Sequence, residues 1–164
     1  MSINKKLFNK INRFADRWDF LDEIAVFFAH YSGFALIIAL FGFLFLDYNT
    51  YKEMFWRAVL AGILSRFIFA ILIYKLFPKK RPFLERTVNL ILNPRETSSF
   101  PSGHAAFFFA ISTVIFAFNP AAGKIFFLVS GLMGISRIFG GVHWPVDVLF
   151  GALLGVFSGW VVLF

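Results

Sequence analysis

Two histidines, two arginines and an aspartate in this chain stand at spacings that suit the transfer of a phosphoryl group. His104 closes the run Pro101-Ser102-Gly103-His104, and Ser136-Arg137 is followed after five residues by His143 and after three more by Asp147. Arg81 precedes Pro82 at the end of a basic run that includes Lys75, Lys79 and Lys80. Such a transfer needs an in-line nucleophile, cations on the equatorial oxygens and a proton for the leaving oxygen. His143 can attack, Asp147 can hold its other ring nitrogen and fix the tautomer, and His104 can act first as acid and then as base for a hydrolytic water. Arginine and lysine donors match phosphate oxygens, arginine in a two-pronged geometry. Ser102 falls where an N-cap would open a helix, whose first N–H groups also favour an anion. Singly, each residue has a plainer reading: a structural histidine at an interface, an ordinary Trp144-Pro145 helix start, a solvated basic flank. Their joint spacing argues for one site.

The elements that must position these residues are helices in a bilayer. Of 164 residues, 59% are hydrophobic and 15% charged, and the 26 Phe exceed what one small aqueous core can bury. Five apolar stretches, about residues 24–46, 54–77, 103–118, 122–139 and 145–164, are expected to span the membrane. The third is short and must cross with little tilt. Asp47–Thr50, Pro78 to Pro101, Asn119-Pro120 and Gly140-Gly141 separate them. Alternating direction then brings the end of the second, the start of the third, the end of the fourth and the start of the fifth to one side. Those four points carry Lys75 to Arg81, Ser102 with His104, Ser136 with Arg137, and His143 with Asp147. The fold class expected is all-α: a polytopic bundle of about five transmembrane helices plus an N-terminal amphipathic helix. It forms one domain, 1–164, with residues 78–101 as the site loop.

Residues 1–20 mix Lys5, Lys6, Lys10, Arg13 and Arg17 with Leu7, Ile11, Phe14 and Trp18, the pattern of an interfacial helix. Arg66 interrupts the second apolar stretch, so it should face the bundle interior, snorkel or meet a partner, with Asp47 and Glu53 as candidates; a structural partner is preferred to catalysis. Arg57 reads as an anchor at the membrane edge. The net charge of +7 is spread over membrane flanks, where it meets anionic headgroups, and no motif gathers it for nucleic acid. The absence of cysteine excludes disulfides, thiolate metal sites and a Cys nucleophile. An ion channel is disfavoured because the polar residues cluster at one end.

The residues quoted above resemble the motifs of the type 2 phosphatidic acid phosphatase family, which shares its site with vanadium haloperoxidases. Pro101-Ser102-Gly103-His104 is complete, and Ser136-Arg137 with His143 and Asp147 matches in full. In the first motif Lys75 precedes Arg81-Pro82 by five residues where the family pattern has six, so Lys79 and Lys80 stand as alternatives to Lys75. The resemblance implies a phosphohistidine on His143 supported by Asp147, with His104 protonating the leaving group. Arg81, Arg137, Lys75, Ser102 and the Gly103 backbone would bind phosphate, with no metal and no other cofactor. The segment from Ile11 to Tyr31 is similar to bacterial undecaprenyl-diphosphatases of this family. Undecaprenyl diphosphate is therefore the first expected substrate, and phosphatidylglycerophosphate or phosphatidic acid the next. Expected partners are a lipid phosphate and membrane lipids. The expected location is the cell membrane, with the site on the extracytoplasmic face. Five spans would then leave the basic N-terminus outside, against the positive-inside bias, unless an interfacial helix or a partial crossing by residues 20–31 reconciles the two.

Overall fold

Helices make up the architecture of residues 2–93 and 97–164, which the computed structural model describes. Pro94, Arg95 and Glu96, part of the expected site loop, lie outside the described residues. In chain order the helices are α1 (Ile3–Asn12), α2 (Asp19–Leu46), α3 (Tyr48–Leu76), the short α4 (Pro82–Glu85), α5 (Gly103–Phe118), α6 (Pro120–Phe139) and α7 (Pro145–Leu163). Helices α2, α3, α6 and α7 are long and apolar enough to cross a membrane, and α5 is a shorter apolar helix of 16 residues. All five expected spans are helical, but α2 begins at Asp19, not near 24, and α3 at Tyr48, not near 54. Residues 20–31 belong to the continuous helix α2, so they make no separate partial crossing.

Local chemistry sets the boundaries. Asp47 has an extended backbone (φ −161°, ψ 101°), and its carboxylate accepts from the N–H groups of Asn49 and Thr50 at 3.0 and 3.3 Å. One residue thus ends α2 and caps α3. Asn119 does the same between α5 and α6, accepting from the Ala122 N–H at 3.1 Å, with Pro120 at the first helical position. Gly141 adopts φ +81°, which turns the chain out of α6 towards His143, and a Cβ there would stand 2.9 Å from the Asn89 carbonyl oxygen.

Helix α5 can be short because protein surrounds it. It packs against α3, α6 and α7, and its Ala106, Ala110, Ile111, Val114 and Ile115 have at most 1% of their surface exposed. A helix clad in other helices need not match the hydrocarbon thickness. Its closest neighbour is α7, whose Gly151, Gly155 and Gly159 recur every four residues against the α5 backbone. A Cβ at Gly151 would lie 2.4 Å from the Ser102 carbonyl oxygen, and one at Gly155 2.5 Å from that of Ala106. Small residues at this spacing let two backbones approach within the membrane. Here the approach brings the Ser102 N–H to the Asp147 carbonyl at 2.9 Å, which ties the start of α5 to the start of α7. Gly155→Val should therefore destabilise the protein by about 1–3 kcal/mol through forced separation of the helices. Gly42→Val, where a Cβ meets open space, should leave the thermal midpoint in detergent unchanged.

Two stretches of α2 and α3 widen to π-helix, at Phe27–Tyr31 and Leu64–Phe69. Such wide turns occur often at functional sites. The expected partners of Arg66 are otherwise engaged: Asp47 caps α3, and Glu53 pairs with Arg57 at 2.8 Å. Arg57 is more than an edge anchor, since its Nη1 donates to the Val162 and Leu163 carbonyls at 3.0 and 2.9 Å and so satisfies the end of α7.

Helix α1 docks on protein instead of resting only on lipid. Phe8 is 1% exposed and meets the Trp144 ring at a centroid distance of 5.0 Å. Asn12, also buried, donates through Nδ2 to the Asn89 and Phe139 carbonyls, both at 2.7 Å, and accepts from the Asn89 N–H at 3.1 Å. Of residues 1–20, where the amphipathic pattern predicts a helix, Ile3–Asn12 form α1, while Asp19 and Phe20 already belong to α2. The Asn12–Asn89 pair, 77 residues apart, is a tertiary contact that periodicity does not reveal.

Candidate active site

The ends of α3, α5, α6 and α7 meet on one side of the bundle around a cavity of about 630 Å³. Of the residues singled out by their spacing, Lys75, Arg81, Gly103, His104, Arg137 and His143 line it. Ser102 and Asp147 stand just behind, each with no exposed surface.

His143 lies in the short connection between α6 and α7, which Gly141 and Pro145 shape. Its Nδ1 is 2.9 Å from the Ser99 carbonyl oxygen, an acceptor, so Nδ1 carries the proton. Nε2 is then left with its lone pair, and it faces Arg81 Nη1, a donor, at 3.4 Å. The tautomer is the one an attacking Nε2 requires. Burial pushes the His143 imidazole down to about 4, against the pull of Asp147 and with the added push of Arg137 and Arg81. The ring is therefore neutral at neutral pH.

Ser99, and not Asp147, is the direct partner of that ring. The expectation that Asp147 holds the second nitrogen is corrected in this respect: Asp147 Oδ2 stands 3.9 Å from Nδ1, beyond hydrogen-bond reach. Its carboxylate is instead the hub of the wall behind the ring. It accepts from the Trp144 N–H at 3.0 Å, from Lys79 Nζ at 2.6 Å and from the Ser99 hydroxyl. Oriented this way, the negative charge still lies close enough to favour a positive imidazole ring.

Arg81 is clamped by the loop that precedes α5. Its Nε donates to the Thr97 carbonyl at 2.9 Å, Nη2 to the Thr97 hydroxyl at 3.2 Å and Nη1 to the Val142 carbonyl at 3.0 Å. Burial lowers the affinity of its guanidinium for the proton, and the nearby Tyr74 and Asp147 oppose that effect. On α6, Arg137 donates weakly to the Ala29 carbonyl at 3.4 Å, while its buried Nε has no hydrogen-bond partner among the described residues. The buried Ser102 hydroxyl also lacks one, and it does not cap α5. Two buried unsatisfied donors beside cationic side chains are what an anion site requires, since each costs free energy until something accepts from it.

The lysines divide. Lys75 lines the cavity, Lys79 is paired with Asp147, and Lys80 is exposed, with its carbonyl accepting from Trp144 Nε1 at 3.1 Å. Lys75→Ala should raise KM by about tenfold, the loss of one charge-assisted contact, with the thermal midpoint unchanged. Lys79→Ala should lower the midpoint by removing a partner of buried Asp147. Kinetics and melting curves on both variants check the division.

Ser99 and Thr97 were not among the residues singled out from the sequence. The signal available was the hydroxyl run Thr97-Ser98-Ser99 immediately before Pro101. Arg66 and His30, from the two π-helical stretches, also line the cavity. Among the described residues no three His, Asp or Glu side chains converge as metal ligands.

Comparison with known proteins agrees with the family resemblance and the helical bundle. A model of the PAP2 superfamily matches residues 78–164, the half of the chain that carries all three motifs from Arg81 onward. The bacitracin transport permease protein BcrC of Bacillus licheniformis is 32% identical over 95% of this chain and 77% of its own length. The undecaprenyl-diphosphatase BcrC of Bacillus subtilis is 28% identical over 97% of this chain and 82% of its own. The crystal structure of Aquifex aeolicus LpxE has 35% identity and a TM-score of 0.83, covering 99% of this chain and 96% of that one. Motifs, bundle and relatives agree over nearly the whole length, and the chain is a membrane phosphatase of the PAP2 superfamily.

Proposed function

We propose that this phosphatase removes the terminal phosphate of undecaprenyl diphosphate through a phosphohistidine on His143. The observation that carries the reading is the joint presence, on one cavity at the membrane end of the bundle, of a neutral His143 with Nε2 unprotonated, His104, and the arginines 81 and 137. Arg81, Arg137, Lys75, Ser102 and the Gly103 N–H hold the terminal phosphoryl group. His143 Nε2 forms a bond to phosphorus as the bond to the bridging oxygen breaks, and His104 supplies a proton to the departing oxygen. Water then attacks the phosphohistidine, giving its proton to His104, and inorganic phosphate leaves. Asp147 stabilises the positively charged ring across 3.9 Å while Ser99 holds its orientation. The undecaprenyl-diphosphatase BcrC of Bacillus subtilis supports the choice of lipid.

The test is phosphate release by purified protein in detergent with EDTA present, on undecaprenyl diphosphate, phosphatidylglycerophosphate and phosphatidic acid in parallel. The diphosphate should show the highest kcat/KM; preference for either monoester would reassign the substrate. The cavity is placed, on this reading, at the extracytoplasmic face of the cell membrane. Because α1 packs on Trp144 beside His143, a protease-cleavable N-terminal tag in sealed vesicles tests the side.

A further inference from the structure

Three family motifs account for the donors around His143, yet the cavity continues past them to Arg66 and His30. Both project from the π-helical stretches of α2 and α3. An ionised side chain inside a membrane helix is costly and marks function when it faces a cavity. With Lys75, Arg81 and Arg137, Arg66 makes four permanent cations among the described lining residues.

The position of Arg66 is informative. Arg81 lies on the nucleophile side, 3.4 Å from His143 Nε2. Arg66 lies at the start of α5, against Gly103: its Nη1 is 2.9 Å from where a Gly103 Cβ would stand. It is also within electrostatic reach of His104, as is His30. In-line transfer places nucleophile and leaving group on opposite faces of the phosphorus, so the His104 side is where the leaving group sits. Next to Arg66 along the same wall are Phe67 and Ile71, apolar side chains 54% and 42% exposed, which offer a lipid tail a way out of the cavity.

We infer that Arg66, assisted by His30, forms a subsite for the second phosphate of a lipid diphosphate, the one that departs with the lipid; this rests on the diphosphatase reading above. When the phosphorus–oxygen bridge breaks, the bridging oxygen keeps the electron pair and the lipid monophosphate leaves with added negative charge. A cation on that side stabilises the developing charge. In a lipid monophosphate the leaving group is an alcohol, which needs a proton from His104 and gives Arg66 no phosphate to hold. Arg66 thus sets the preference for anhydride over ester.

The experiment measures kcat/KM of wild type, Arg66→Gln and Arg66→Lys on undecaprenyl diphosphate and on undecaprenyl monophosphate. Arg66→Gln should lose about 10- to 100-fold on the diphosphate and less than about threefold on the monophosphate, as loss of one charge-assisted contact implies, with Arg66→Lys between. Equal loss on both lipids, or none on either, would overturn the subsite. A wild-type protein inactive on the diphosphate would instead remove the diphosphatase reading, and the subsite with it. Should Arg66→Gln fail to fold, methylenediphosphonate inhibition of monophosphate hydrolysis by wild type and Arg66→Lys gives the same answer. Tighter inhibition by methylenediphosphonate than by methylphosphonate, reduced in Arg66→Lys, supports the subsite, and equal inhibition by the two overturns it.

Discussion

His143→Gln should abolish turnover, with kcat reduced on the order of 10⁴- to 10⁶-fold, the range seen when a covalent nucleophile is removed. Glutamine keeps polarity and approximate size, so the Ser99 and Arg81 contacts lose least and the melting temperature should move little. The loss must appear in formation of the phosphoenzyme. Rapid mixing with labelled diphosphate and an alkaline quench, which preserves a phosphorus–nitrogen bond, should trap label on wild type and none on the variant. Label retained by His143→Gln would assign the nucleophile elsewhere. The pH dependence carries a sign. A depressed folded-state value of about 4 keeps His143 neutral above that pH, so the limb of phosphoenzyme formation due to this ring falls only as pH drops through about 4. A midpoint near the ordinary 6.5 would mean that the ring is solvated and not buried as described.

His104→Gln should lower activity on a lipid monophosphate by about 10²- to 10⁴-fold, the usual worth of a general acid. The leaving group matters more than the mean. An alkoxide is a poor leaving group and depends on the proton; a phosphate ester leaves far more readily without one. The first chemical step on a diphosphate, read in a single turnover, should therefore suffer less than the same step on the monophosphate. A nitrophenyl phosphate, which leaves as a stable phenolate, should suffer least. Uniform loss on all three would make His104 a binding residue and not the acid.

The sequence was most informative where a single residue has few alternatives. Asp47, Asn119-Pro120 and Gly140-Gly141 each interrupt an apolar run, and each is a boundary in the fold because caps and left-handed glycines act locally. His104, Arg137 and His143 converge because alternating spans leave them no other side. The exact start of α2 was hidden because Asp19, Asp22 and Glu23 look like loop residues, although acidic side chains are at home in a first helical turn. What stayed illegible depends on carbonyls and distant pairs. The Ser99 carbonyl has no residue-type signature, so the spacing of His143 and Asp147 suggested a direct contact that the backbone provides instead. Hydropathy registers the cost of Arg66 and not the direction it faces, which is into the cavity.

The π-helical stretch in α3 has a consequence for how this wall of the cavity is counted. Arg66, Ala70 and Tyr74 line it at intervals of four residues, and so do Phe67, Ile71 and Lys75. In a regular helix of 3.6 residues per turn, each interval of four drifts by about 40°, so a column of three turns away from its starting face by about 80°. Leu64–Phe69, where Arg66 and Phe67 stand, is wound more loosely than that, and regular winding resumes over Ala70–Leu76. Deleting one residue of that stretch would close the wide turn to a regular one and change which of its own side chains, Arg66 among them, face the cavity, while leaving composition almost unchanged. In this helix the number of residues carries function alongside their kind.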